Sequence, residues 1–280
     1  MALIQDHPRW IELSTAAKEV AADALTTGNY LDSDIARAVM DEAAQSLYRC
    51  EGCNALRGVC ARPGADIYDM IRKQEHKQFS KVATLPQSIL HVIHATANLQ
   101  GFVNKAWYTK ASLALRDELN LPHEEGVPDA AIIEVVVLTS LSCAIKSFAC
   151  MTGDDHLLVL PEVTRTPAKS IPLDTFVKKI YASRGEYPYS PAVQFKQDAE
   201  KVVGLPQEFL ESLHSQIPPH SRAALNPYLA NELARICAAF YLPMDAIASV
   251  SGEVPKGRTL TRSQLESVAA GLTAELGCAF

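Results

Sequence analysis

Three of the seven cysteines of this 280-residue chain stand close together in the stretch YRCEGCNALRGVC, which covers residues 48–60. Only two residues separate Cys50 from Cys53, and we expect the second thiol to enter the first turn of a helix. Thiols at this spacing can approach disulfide distance, and the positive end of the helix lowers a thiol pKa and favours the reactive thiolate. The pattern therefore predicts a redox-active dithiol.

An acidic residue precedes the pair and is a candidate proton relay. Asp32 or Ser33 can cap a helix that runs from Asp34 towards Tyr48, because apolar residues recur every four positions along it. Glu42 lies eight residues before Cys50, nearly on the same helix face, and could move protons to and from its thiol. The predicted catalytic residues are therefore Cys50, Cys53 and Glu42.

A metal site is the rival chemistry for the same segment. Cys50, Cys53 and Cys60 could supply three thiolates to zinc, with His76 as a fourth ligand. Structural zinc sites usually combine two close pairs of ligands, and no second Cys-x2-Cys or close Cys-His pair follows. We therefore expect neither a metal nor another cofactor.

Other polar clusters have a simpler interpretation. His91 and His94 stand three apart on a predicted helix and could present two ligands on one face, but packing or hydrogen bonding is the expected role of His94. Asp154, Asp155 and His156 could bind a divalent cation, although such a cluster more often forms a polar turn.

Composition and charge exclude several classes of protein. Hydrophobic residues make up 48% of the chain and aromatic residues only 7%, which favours packed helices. The net charge of −6 and the lack of a long Lys/Arg run argue against nucleic-acid binding. Glu134 and Lys146 interrupt the most apolar segment, which predicts a buried helix and no membrane span. We expect the partners to be a small-molecule substrate or a thiol reductant protein.

The cysteine content and the first residues suggest a cellular compartment. The first twenty residues carry charges where a signal peptide needs an apolar core, and the number of cysteines is odd. Both features favour a reducing compartment, and we expect the protein in the cytoplasm.

Helical patterns separated by Pro and Gly predict a single all-α domain over residues 1–280. Pro-rich residues 153–191 form a long, partly irregular insertion, and Thr261 with Gln264 caps a C-terminal helix. The periodicity predicts the other helices at about 8–25, 34–48, 66–82, 86–119, 129–150, 194–203, 206–216 and 227–241.

Two similar stretches indicate an internal duplication. KVATLPQSILHVIH at 81–94 and KVVGLPQEFLESLH at 201–214 share seven residues at the same places. Upstream, CNALRGVC and CAIKSFAC both have Cys-x6-Cys spacing, and each follows an apolar helix with an acid, Glu42 or Glu134. We therefore expect two related helical halves, at about 1–120 and 121–250, that pack face to face.

An apolar helix leading into Cys-Glu-x-Cys within a duplicated helical body resembles the alkylhydroperoxidase-D-like and carboxymuconolactone decarboxylase superfamily. The resemblance covers residues 33–60, with a weaker echo at 127–150. It implies that Cys53 attacks the peroxide and Cys50 resolves the product. The chain departs from the family pattern at Ala38, where the family has its relay Glu, and at Arg57, where it has a His.

The function expected from these observations is that of an antioxidant enzyme, a thiol-dependent oxidoreductase or peroxidase that reduces peroxides or disulfides. Helices of this kind often bury remaining apolar faces by self-association, so a homo-oligomer is expected. Two alternatives remain open. One is a non-catalytic interaction or scaffold protein with core cysteines, and the other is a cofactor-free enzyme of the same fold that acts on a small organic substrate.

Overall fold

The protein is predominantly helical, as its composition predicts. The computed structural model describes residues 8–60, 67–74, 76–99, 103–123, 127–167, 176–179, 192–195, 226–243, 246 and 260–275. The helices in these parts are α1 (Pro8–Thr26), α2 (Ser33–Ser46), α3 (Glu51–Cys60), α4 (Ile67–Arg72), α5 (Gln87–Asn98), α6 (Lys105–Glu118), α7 (Val127–Thr152), α8 (Pro227–Phe240) and α9 (Arg262–Glu275).

The long helix α7 forms the centre of the core. It packs against α2, α5 and α6, while α1 packs mainly against α8. Most of its side chains are buried, which explains why its sequence is apolar on all sides. By length and composition α7 could also cross a membrane, but 67% of its most apolar window is buried against the rest of the protein. Such burial is typical of a core helix.

Side-chain caps define several helix ends as the sequence predicts. The Asp32 carboxylate accepts a hydrogen bond of 2.8 Å from the backbone N–H of Ile35 at the start of α2. At the start of α9, the Thr261 hydroxyl accepts from Gln264 N–H at 3.3 Å, and the Gln264 side chain accepts from Thr261 N–H at 2.9 Å. This reciprocal pair is the capping box that the sequence predicts.

Three predicted helices differ in the structure. The single helix expected over 86–119 is two helices, because the Asn104 side chain accepts from Trp107 N–H and starts α6 as a separate element. The helix expected over 66–82 ends at Arg72. Gln194, which we expected at the start of a helix, lies in a strand. The helix expected over 206–216 and the second repeat at 201–214 lie outside the described residues.

Short strands accompany the helices. Thr27–Gly28 (β1) pairs in parallel with Thr166–Pro167 (β2), and Phe176–Lys179 (β3) pairs antiparallel with Ala192–Phe195 (β4). The region predicted as an insertion therefore contains strands β2 and β3 and a 3₁₀ turn at Asp155–Leu158. The division into two halves stays a prediction.

Candidate functional site

A tight turn between α2 and α3 positions the Cys-x2-Cys pair. Tyr48 adopts the left-handed conformation with φ of 61°, and its N–H donates to the Asn98 side chain of α5 at 2.9 Å. Cys50 directly precedes α3, and Cys53 lies in its first turn. The Cys53 backbone N–H points at the Cys50 sulfur from 3.5 Å, so the predicted location of the pair at a helix N-terminus is confirmed.

Both cysteines are buried, at 4% exposure for Cys50 and 0% for Cys53. They are not isolated core residues, however, because each makes a polar contact. The Cys50 sulfur lies 3.6 Å from Nδ1 of His76, and the Cys53 thiol donates to the backbone carbonyl of His94 at 3.7 Å. The pair thus combines the burial of core thiols with polar neighbours.

Two histidines from different elements join the pair. Half-buried His76 follows α4, and fully buried His94 lies on α5. One ligand atom from each of Cys50, Cys53, His76 and His94 lies within 4.8 Å of all the others. We call these four residues the Cys2His2 cluster.

Each histidine of the cluster is held through Nε2. His76 Nε2 lies 2.9 Å from the backbone carbonyl of Ile71, which is an acceptor only, so Nε2 carries the proton. His94 Nε2 lies 2.9 Å from the Glu42 carboxylate. His94 Nδ1 is buried and has no hydrogen-bond partner of normal geometry among the described residues. The Nδ1 atom of each ring is therefore the nitrogen that remains for the cluster.

Glu42 contacts His94 rather than a cysteine. Its Oε1 faces His94, and its Oε2 accepts from the backbone N–H groups of Phe79 and Ser80, both at 2.7 Å. The assumption that Glu42 and Cys50 share a helix face is wrong, because α2 ends at Ser46. A proton path from Glu42 to Cys50 would have to pass through the His94 ring.

The electrostatics of the cluster favour a thiolate beside an imidazolium. The neighbouring groups of Cys53, His76 and His94 lower the pKa of Cys50 far below its ordinary value, although desolvation opposes them. Burial by itself would lower the pKa of His94, but Cys50 and Glu42 raise it to about 9. Cys50 and His94 therefore favour each other's charged form.

His91 lies on the same helix as His94 and has a different role. Its Nε2 accepts a hydrogen bond of 2.8 Å from the indole N–H of Trp107, and the two rings stack with centroids 5.7 Å apart. Burial lowers the pKa of His91 to about 3, so this ring is neutral. The two histidines of α5 do not form one ligand pair.

The remaining candidates do not join the cluster. Asp155 and His156 are exposed and, with Asp154, are not among the metal-ligand groups found in the described part of the chain. Cys143 lies in the middle of α7, where burial raises the pKa of its thiol to about 12. Cys150 is exposed near the end of the same helix. The side chain of Cys60, the third expected zinc ligand, lies outside the described residues.

His94 is the member of the cluster whose role the sequence does not reveal. It lies 41 positions beyond Cys53, and its only local ligand spacing in the sequence is with His91, which the structure places outside the cluster. Its place in the repeated stretch favoured a packing or hydrogen-bonding role over that of a ligand, and its hydrogen bond to Glu42 confirms the hydrogen-bonding role. The histidine and its partner Glu42 meet only because α2 and α5 pack together.

The chain was compared with protein-family models, with curated proteins and with solved structures, and none of them matches it.

Proposed function

We propose that this chain is a thiol-dependent oxidoreductase in which Cys50 and Cys53 reduce a peroxide or a disulfide. The observation that carries the proposal is the position of the Cys50 sulfur, 3.5 Å from the Cys53 N–H and 3.6 Å from His76 Nδ1. A thiol next to an imidazole and a second thiol has both a base and a resolving partner within reach.

Cys50 is the better candidate for the attacking thiol, which reverses the roles that the family resemblance implies. Its sulfur faces His76, the half-buried side of the cluster, whereas the Cys53 thiol is bound to the carbonyl of His94. The backbone N–H of Cys53 and the N-terminus of α3 stabilise negative charge on Cys50. Cys53 is then the resolving thiol.

The chemistry balances with one peroxide and one dithiol. The Cys50 thiolate attacks a peroxide oxygen, the O–O bond breaks, and the leaving alkoxide takes a proton from an imidazole, which leaves a sulfenic acid. The Cys53 thiol attacks this sulfur, water leaves, and a disulfide forms. An external dithiol returns the two electrons by thiol–disulfide exchange, which requires a reducing compartment such as the cytoplasm.

Mass spectrometry of reduced, metal-free protein after one equivalent of peroxide tests this proposal. We expect a Cys50–Cys53 disulfide in the wild type and a trapped sulfenic acid at Cys50 in Cys53→Ser. The control Cys143→Ser should behave like the wild type, because Cys143 lies outside the cluster.

Two results would count against this function. In Cys50→Ser, a sulfenic acid could form on Cys53 as fast as the disulfide forms in the wild type. That result would make Cys53 the attacking thiol and Cys50 the resolving thiol, as the family resemblance implies. Thiols that stay reduced in the wild type would remove the redox function and favour a scaffold protein with core cysteines.

A further inference from the structure

The Cys2His2 cluster has the composition of a metal site as well as that of a redox centre. Its four donors come from three separate segments of the chain: the start of α3, the residues after α4, and α5. Two sulfurs and two imidazole nitrogens from these segments share one small volume, which is the arrangement that a bound metal ion requires. We propose that Cys50, Cys53, His76 and His94 form a tetrahedral binding site for Zn²⁺.

The separation of the donors fits zinc coordination. With Zn–S of about 2.3 Å and Zn–N of about 2.0–2.1 Å, a tetrahedral site has sulfur–nitrogen separations of about 3.6 Å. Cys50 Sγ and His76 Nδ1 are 3.6 Å apart. All four ligand atoms lie within 4.8 Å of one another, so they are close enough to surround one ion once the side chains adjust to it.

The surroundings of both histidines prepare them to be ligands. A histidine that binds zinc normally donates its other ring N–H to a carboxylate or a backbone carbonyl. His94 has a carboxylate in this place, that of Glu42, and His76 has a carbonyl, that of Ile71. In the neutral form of each ring, these contacts hold the proton on Nε2, so that Nδ1 is the nitrogen that can bind the metal.

A buried nitrogen without a hydrogen bond gives independent support. Within the described part of the chain, His94 Nδ1 is buried and has no hydrogen-bond partner of normal geometry, although leaving a buried polar atom unpaired is unfavourable. A metal ion in the cluster would satisfy this atom. The contact that Nδ1 lacks is therefore the contact that zinc supplies.

The donor set selects zinc over the hard cations. Thiolate and imidazole suit Zn²⁺, whereas Mg²⁺ and Ca²⁺ require oxygen ligands. Two thiolates also neutralise the charge of the ion, which a buried site requires. Because all four positions come from the protein, the site is closed, as in structural zinc sites.

This inference depends on the ligand geometry and not on the proposed redox function. Zinc and a Cys50–Cys53 disulfide exclude each other, since only the thiolates bind the metal. For this reason the zinc experiment uses fully reduced protein without oxidant, and the redox experiment uses metal-free protein. Either proposal can then fail without the other.

The test measures Zn²⁺ bound by the reduced full-length chain after reconstitution and desalting, by elemental mass spectrometry. We expect one equivalent per chain, and with Co²⁺ the visible spectrum of a tetrahedral thiolate site. His76→Asn should weaken zinc binding by at least about tenfold. His76→Cys should restore it, since a Cys3His set also binds zinc. The exposed control His156→Asn should bind like the wild type.

Besides a failed rescue by His76→Cys, three outcomes would overturn the proposal. They are a wild-type chain that retains no zinc, a Co²⁺ spectrum without thiolate coordination, and a Cys50→Ser/His76→Asn double variant that binds zinc like the wild type. If His76→Cys stays helical by circular dichroism but does not recover binding, His76 is not a ligand. This comparison separates the loss of a ligand from the loss of the fold.

Discussion

At the scale of single residues, Glu42 determines which nitrogen of His94 is available to the cluster. Its Oε2 accepts from two backbone N–H groups, and its Oε1 contacts the His94 ring. A carboxylate can only accept, so it fixes the proton on Nε2. Glu42 is a positioning residue for the Cys2His2 cluster.

The variant Glu42→Gln tests this role. The Gln oxygen would keep the two backbone donors, and its NH₂ group would face His94 Nε2 and favour the ring form protonated on Nδ1. That form has no lone pair for a metal, so we expect about 10–100-fold weaker zinc binding. Competition with a zinc chelator measures the zinc affinity of this variant and of the wild type.

The nearby variant Asp41→Asn is the matched control, because Asp41 contacts Gln45 on its own helix. It should leave the zinc affinity unchanged. If Glu42→Gln binds zinc as tightly as the wild type, the carboxylate does not determine which nitrogen of His94 carries the proton.

At the scale of helices, α6 supports the helix that carries His94. Glu118, the last residue of α6, accepts from the backbone N–H groups of Gln87 and Ser88 at 3.0 and 2.7 Å, at the start of α5. Pro86, the N-cap residue, offers no side-chain hydrogen bond, so the cap comes from a neighbouring helix. The negative charge also complements the dipole of α5.

Glu118→Gln should therefore lower the free energy of unfolding at pH 7. We expect a loss of about 0.5–1 kcal/mol, which partial exposure keeps modest. Burial would raise the pKa of Glu118, but hydrogen bonds from Ser88 and Gln87 lower it. Because the folded pKa is depressed, this stabilisation is present above the ordinary value of 4.5 and is lost as the pH falls through the folded value.

Urea unfolding at pH 7 and at pH 3 measures this effect. The difference between Glu118→Gln and the wild type should shrink at pH 3. Asp117→Asn on the same helix is the control, because exposed Asp117 pairs only with its neighbour Arg116 among the contacts of the described chain. An equal loss at both pH values would exclude the electrostatic explanation.

The two central helices share an arrangement that favours the predicted duplication. α2 and α7 pack against each other, and each provides a buried glutamate. Glu42 accepts backbone N–H groups at 79–80, and Glu134 accepts those at 29–31. The duplication stays a prediction, but these glutamates give it a structural counterpart that does not depend on the cysteines.

At the scale of the whole molecule, Arg165 joins the segment after α7 to α7 itself and to the connection between α1 and α2. Its guanidinium forms a buried ion pair with Glu134 and donates to the carbonyls of Leu31 at 3.0 Å and Thr27 at 2.8 Å. Gly28 allows this close approach, because a Cβ atom there would overlap the guanidinium. One side chain thus fixes three parts of the chain.

Arg165→Met should lower the free energy of unfolding by about 3–5 kcal/mol, because it leaves the Glu134 carboxylate buried without its cation. Adding Glu134→Gln should recover part of this loss, since the amide carries no charge and still accepts hydrogen bonds. Chemical denaturation of the single and double variants measures both effects.

The control is Arg37→Met, which removes an ion pair with exposed Glu162 and should cost about 0–1 kcal/mol. An Arg165→Met variant as stable as this control would contradict the structural role of the buried pair. A double variant less stable than Arg165→Met would show that hydrogen bonding of Glu134, rather than its charge, dominates.

The sequence by itself determined the helical class and the local part of the site. Apolar periodicity located α1, α2 and α8, because burial of one face leaves a repeat in the sequence. A continuous apolar segment located α7, because its faces are buried on all sides. The Cys-x2-Cys spacing placed two thiols at a helix start, since residues so close in sequence meet within one turn. The caps at Asp32 and Thr261 were readable for the same reason.

Only the tertiary structure decided what surrounds the thiols. His76 and His94 reach Cys50 across 26 and about 44 residues, and such distances leave no periodic signal. Glu42 was predicted from its spacing as a proton relay for Cys50, but its side chain contacts His94 instead. The spacing assumed one continuous helix, whereas α2 ends at Ser46 and Tyr48 is left-handed. Local spacing specifies contacts within a turn, whereas helix packing determines which distant side chains share a site.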